Sequence, residues 1–234
     1  MSEVRVLLKP VYVLLVVALL GAGTAFFAFD RARLLDEGPP GERARDLVKG
    51  PFSRIVFEID YFTLQPEIVP DKQEVERFLA FAKAYTSKNV EVVYQELPLE
   101  LATTDLWDDA ELHALSAETR DIHSWPFGML TVHIIYANAL YAPKGTVAGL
   151  SIAATTIVIF KSIARVLGAE DIVLAHEFGH LMGLCGIVQP SDLCDGNGHA
   201  KNQASLMAAS IDPRYSNVAD LKLFPEEVEL LAAL

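Results

Sequence analysis

Apolar residues recur along this chain in two rhythms, preceded by one unbroken run. Arg54-Ile-Val-Phe-Glu-Ile-Asp60, Val90–Leu97, Leu130–Tyr136 and Thr155–Phe160 are short and rich in β-branched and aromatic residues, which predicts strands. Val147–Ile152 reads as a shorter edge strand. Between Asp71 and Lys88 the apolar positions Val75, Phe78, Leu79, Ala82 and Tyr85 keep helical spacing. Asp71 is the expected N-cap there, with Glu74 closing a capping box. Thr104–Ile122 reads as an acidic helix, Ala169–Leu184 as a helix stopped by Gly183, and Pro225–Leu234 as a short final helix. The order is strand, helix, strand, helix, three strands, then helix. That order predicts an α/β (α+β) fold: a mixed twisted sheet with packed helices and an irregular C-terminal part that supplies loops.

The unbroken run changes the expected organisation. Val11 to Phe29 carries no charge. At about 1.5 Å per residue it nearly spans a hydrocarbon core of about 30 Å. An uncleaved signal anchor over residues 1–30 is favoured over a cleaved secretory signal, because apolar residues continue through Phe26–Phe29, past the small residues Gly21-Ala22-Gly23. Residues 31–50, charged and broken by Gly38-Pro39-Pro40-Gly41, read as a linker. Residues 51–234 are left as the folded domain. The expectation is a single-pass membrane protein with its domain outside the cytoplasm. Arg31, Arg33, Arg43, Arg45 and Lys49 behind the run pull the other way under the positive-inside rule.

The net charge is −12, and no basic stripe is present, which makes nucleic acid a poor partner. The two cysteines, Cys185 and Cys194, are close enough in sequence to close a small disulfide loop in an oxidising compartment. Two separate buried thiols, or metal ligands, are the alternatives.

The chemistry concentrates in His176-Glu177-Phe178-Gly179-His180. On a helix, positions i and i+4 share a face, so both imidazoles can reach one metal ion. Glu177 beside them can act on a water at that metal. A catalytic zinc takes three protein ligands and keeps one open position. The compact pattern HExxHxxGxxH would put the third ligand at position 186, which is Gly186. His199, beyond the Gly- and Asp-rich loop of residues 189–198, is the leading candidate, with Asp192 and Asp195 as alternatives. His133 reads as a core residue, and His113 and His123 as residues of a polar helix face and its end. Glu226, Glu227 and Glu229 read as a solvated face.

Gly183, His199 and Met207, in that order behind HEFGH, resemble the metzincin clan. The segment is especially similar to membrane-anchored prokaryotic and archaeal archaemetzincin-type proteins with a displaced third histidine. In those relatives a pattern like HEFGHLLGL is followed by a variable loop and a block H-C-x-x-x-x-C-x-M. Here His199-Ala-Lys-Asn-Gln-Ala-Ser-Leu-Met207 keeps the histidine and the methionine, while Ala200 and Ser205 replace the two cysteines. The resemblance covers residues 170–210. It implies that His199 is the third zinc ligand, Met207 the residue of a Met-turn beneath the metal, and Glu177 the general base. Tyr215 stands where several metzincins place a tyrosine after that turn.

The expected function is therefore zinc-dependent hydrolysis of a peptide or protein substrate by an endopeptidase mechanism. The alternative from another class is a membrane-anchored zinc-binding module without turnover, which would need no base at Glu177.

Overall fold

The computed structural model describes residues 36–63, 69–101, 106–125, 128–137, 139–185, 193–210, 217–218 and 223–234. In chain order its elements are α1 (Ala44–Val48), β1 (Arg54–Phe62), α2 (Lys72–Thr86), β2 (Asn89–Leu97), β3 (Leu106–Trp107), α3 (Asp109–Thr119), β4 (Met129–Ala137), β5 (Leu140–Tyr141), β6 (Gly149–Ala153), β7 (Thr156–Phe160), α4 (Lys161–Leu167), α5 (Glu170–Leu181) and α6 (Pro225–Ala233).

Five strands form one sheet in the order β2-β1-β4-β7-β6. Four run parallel, and β6 closes the edge antiparallel to β7. Parallel strands covered on both faces carry near-continuous apolar runs, and β1, β4 and β7 do so. Ile55, Phe57 and Ile59 of β1 face α2 and α5, where Phe57, Phe78 and Phe178 meet edge to face at centroid distances of 5.0–5.7 Å. The opposite face packs Phe62, Ile135, Val158 and Phe160 against Trp107, Leu112 and Leu115. The mixed α/β architecture and the helix that carries the histidines thus match the pattern of the sequence.

The second face also carries a polar network that the alternation alone does not announce. Glu58, Asp60, Arg120 and His133 are all buried there. His133 Nε2 donates to Asp60 Oδ2 at 2.7 Å, and the Ser116 hydroxyl lies 3.1 Å from Nδ1. Arg120 pairs with Asp36 at 3.1 Å and bonds Thr155 and Thr156. Glu58 Oε1 accepts the backbone N–H groups of Asp121 and Ile122 at 2.8 and 3.0 Å.

Three expectations change. The stretch Asp36–Gly50, read as linker, packs on the domain: Leu47 is fully buried, and Asp36 is held by Arg120, His123 and Ser124. Asp71 does cap α2, accepting from Gln73 and Glu74, but Glu74 does not close the box. Its carboxylate accepts Asp171 N at 3.2 Å, and the Asp71 N–H goes to Glu170 at 3.2 Å. Tertiary partners have replaced the local one. The third change is a correction to the expected membrane placement. Among the described residues no helix is long and apolar enough to cross a membrane. The longest, α2, has 15 residues and an exposed polar face, about 22 Å against the ~30 Å required. The run Val11–Phe29 lies outside the described residues.

Candidate metal centre

The helix that presents His176 and His180 is fixed at its start by buried charge. Asp171 Oδ2 pairs with Arg77 Nε of α2 at 2.6 Å and accepts Val218 N at 3.1 Å. Glu170 pairs with Lys161 and accepts the Tyr136 hydroxyl at 2.6 Å. Two carboxylates in the first turn also suit the positive end of the helix dipole. At the other end Gly183 takes φ +84° and the chain reverses, with Leu184 N donating to Gly179 O at 2.9 Å. A side chain there would be strained. The helix therefore stops at Leu181, shortly before the predicted end.

The reversal leads into a disulfide between Cys185 and Cys194, whose Cα atoms lie 5.5 Å apart. Cys194 then pairs with Ala200 in a small antiparallel bridge, supported by Asp195 N to His199 O at 2.8 Å and Lys201 N to Leu193 O at 2.9 Å. His199 sits in this clip. Asp195, an alternative third ligand on sequence grounds, is occupied in shaping it: Oδ1 accepts Asn197 N at 2.8 Å and His199 N at 3.2 Å. These same bonds hold its pKa below the usual range. Asp192, Gly186 and Tyr215 lie outside the described residues.

His176, His180 and His199 converge. Their ring centroids are 4.9, 5.5 and 5.7 Å apart. One nitrogen from each lies within 4.8 Å of the other two, the group among the described residues able to hold a metal ion. The donor set suits zinc. Nitrogens at about 2.0–2.1 Å from a tetrahedral ion stand roughly 3.3–3.4 Å apart, so a small closure brings them onto it. Nδ1–H of His176 donates to Leu206 O at 2.7 Å, which leaves Nε2 with a free lone pair. Burial, and then the neighbouring imidazoles, push His180 down to about 3. Burial likewise lowers His176 and His199. All three are neutral near pH 7, as metal ligation requires.

Glu177 is on the same helix, buried against the edge strand. The Ser151 hydroxyl lies 2.8 Å from the Glu177 backbone oxygen and 3.0 Å from Oε2. Burial raises Glu177 to about 7 against the pull of that hydrogen bond and of His199. A carboxylate poised there can take a proton near neutral pH and give it back.

Met207 is fully buried against the same helix. A Cβ on Gly179 would collide with its Sδ, so the glycine lets the turn approach the helix. Met207 O accepts Ala200 N at 2.7 Å, tying the turn to the clip that carries His199.

Among the solved structures that resemble this chain are two archaemetzincins. The one from Methanopyrus kandleri aligns at 14% identity and TM-score 0.48 over 79% of this chain and 96% of its own. The one from Archaeoglobus fulgidus, complexed with malonate, aligns at 15% identity and TM-score 0.40 over 76% and 99%. No protein-family model and no curated protein matches the sequence.

Four supporting contacts are absent from the sequence pattern. Glu227, read as solvated, is buried and accepts the Ser205 hydroxyl at 2.6 Å. Ser205 Oγ accepts Met207 N at 2.9 Å, so the last helix braces the turn. The Leu206 carbonyl that orients His176 is backbone and leaves no trace in residue type. Ser151 had one available sign: Gly149 within a strand pattern marks a close approach. Its Cβ would lie 2.8 Å from Glu177 Cγ.

Proposed function

We propose that this chain is a zinc-dependent metallopeptidase in which His176, His180 and His199 hold the metal and Glu177 is the general base. The observation that carries the proposal is the convergence of three imidazole nitrogens next to a buried carboxylate on the same helix. A structural zinc closed by four ligands would have no use for that carboxylate. Bound zinc would supply Lewis acidity, polarising a peptide carbonyl and acidifying water at the open position. Glu177 takes the proton from the attacking water at its carboxylate. It then delivers that proton to the leaving amine nitrogen as the C–N bond breaks, ending as a carboxylate again.

An extended peptide is held along its length by pairing on the free edge of β6, whose residues 149–153 are half-buried. Holding along the backbone, with no terminus required, is the mode of an endopeptidase. Met207 supports the histidines from below as a Met-turn residue. The test is Glu177→Gln in zinc-loaded protein. It should keep one zinc per chain and lose hydrolysis of a casein-type substrate by at least a hundredfold. Undiminished hydrolysis with zinc in place would remove Glu177 from the mechanism. A wild-type chain that binds zinc and cleaves nothing would leave a binding module.

A further inference from the structure

The base is held by another element as well as its own helix. Ser151 of β6 places its hydroxyl within hydrogen-bond distance of both the Glu177 backbone oxygen and Oε2. Its one proton can serve either, and an ionised carboxylate is the stronger acceptor. Two residues earlier, Gly149 meets the same side chain from the same face of the strand. The space a Cβ would fill at Gly149 is taken by Glu177 Cγ, Glu177 Oε1 and Val173 Cγ1, at 2.8, 3.0 and 2.7 Å. Together the two positions form a slot that fixes the direction of the carboxylate.

The backbone of these residues faces elsewhere. Phe160 N donates to Ala148 O at 2.9 Å, which marks Ala148 and Phe160 as a hydrogen-bonded pair of the β6–β7 ladder. In an antiparallel ladder such pairs alternate. Leu150 and Val158 are the next, since Gly149 stands opposite Ile159 and Leu150 opposite Val158. Gly149 and Ser151 therefore turn their N–H and C=O groups to the outer edge, where no strand lies among the described residues.

We infer that Ser151 is a positioning residue for Glu177, through which a peptide strand paired on the edge of β6 orients the base. The inference rests on the peptidase reading for its function, and on the hydrogen bond and the Gly149 slot for its geometry. A strand added to β6 bonds the backbone of the residues whose side-chain positions hold Glu177. Substrate pairing then stiffens the base's support without touching the base.

The test compares Ser151→Thr with Ser151→Val in the zinc-loaded full chain. The two have nearly the same shape and suit a strand equally, and they differ in the hydroxyl. Zinc content, kcat and KM on an extended peptide, and the affinity of acetohydroxamate are measured. That probe chelates the metal and passes its hydroxyl proton to the base, so it reads the carboxylate's position without turnover. Both variants should hold one zinc per chain. Ser151→Val should lose about tenfold in kcat relative to Ser151→Thr, with KM changed less than about twofold. Its hydroxamate affinity should fall by a similar factor. Equal kcat and equal hydroxamate affinity in the two variants, at full zinc, would overturn the inference. If the wild type cleaves no peptide the peptidase reading fails, and the hydroxamate comparison still decides whether Ser151 positions Glu177.

Discussion

The narrowest gap beside the proposed base is at Gly149, and adding one methyl group there is a demanding perturbation. In Gly149→Ala the new Cβ would stand 2.7 Å from Val173 Cγ1 and 2.8 Å from Glu177 Cγ. Carbon atoms settle at about 3.5–4.0 Å, so both contacts must open by roughly 0.7–1.3 Å. Val173 has little freedom, since a β-branched residue in a helix is nearly confined to one rotamer and this one is buried in the core. Glu177 can swing aside, but the Val173 contact opens only if the strand moves off the helix, and both displacements strain the Ser151 contact. A misplacement of about 1 Å can cost about a hundredfold in rate. Overpacking costs about 1–3 kcal/mol of stability. The expected result is therefore a kcat ten- to a hundredfold lower, zinc content unchanged and a lower Tm. Steady-state kinetics, metal analysis and thermal unfolding read the three quantities. Gly145→Ala is the control, because its Cβ would touch only Leu140 Cδ1, at an ordinary 3.9 Å. Wild-type kcat in Gly149→Ala would refute the reasoning, for it would mean that Glu177 does its work without the slot.

Two further outcomes follow from the disulfide clip and from the buried polar network. The disulfide closes the short loop between Cys185 and Cys194, a separation of nine, worth about 2–3 kcal/mol in the loop-entropy account. Cys185→Ser with Cys194→Ser should lower Tm and weaken zinc binding, because the clip carrying His199 loses its closure; unchanged zinc affinity would show that the Asp195 turn and the Met207 bond suffice. Glu58 supplies a pH signature, since burial raises it to about 7 in the folded chain. A carboxylate raised above its unfolded value of about 4.5 stabilises the fold fully below that value and loses the contribution as pH rises through 7. Glu58→Gln should gain on the wild type in urea unfolding between pH 5 and pH 8, and a constant difference would place the titration elsewhere.

The strands and helices were legible because burial here follows period. β4 is apolar except at Thr131 and His133 and lies mid-sheet, and α2 keeps its core stripe at Val75, Phe78 and Ala82. His176, Glu177 and His180 were legible from helical spacing alone, since one face of one helix carries them. His199 was a candidate by its place behind the motif, with Asp192 and Asp195 left open beside it, because its approach to the helix depends on a disulfide and an Asx turn rather than on any period. Glu227 departs from the pattern for a related reason: it stands in a run of acids, and its burial rests on the Ser205 hydroxyl across the fold and on the Phe224 N–H at the helix start. The Asp36–Gly50 segment looked like linker by composition, yet Asp36 meets Arg120, and Leu47 joins the core. Long-range partners of this kind are invisible to local pattern. The reading of Val11–Phe29 as a membrane span rested on composition, and the described helices give it no support.

The central claim is that three histidines from two separated segments hold one catalytic metal. Its most direct test is a zinc titration of the metal-free wild type beside His199→Ala, followed by calorimetry and by hydrolysis of a casein-type substrate. The wild-type chain should bind one tight zinc, and His199→Ala should bind it more weakly by well over tenfold, with hydrolysis lost. One tight zinc and full activity in His199→Ala would contradict it.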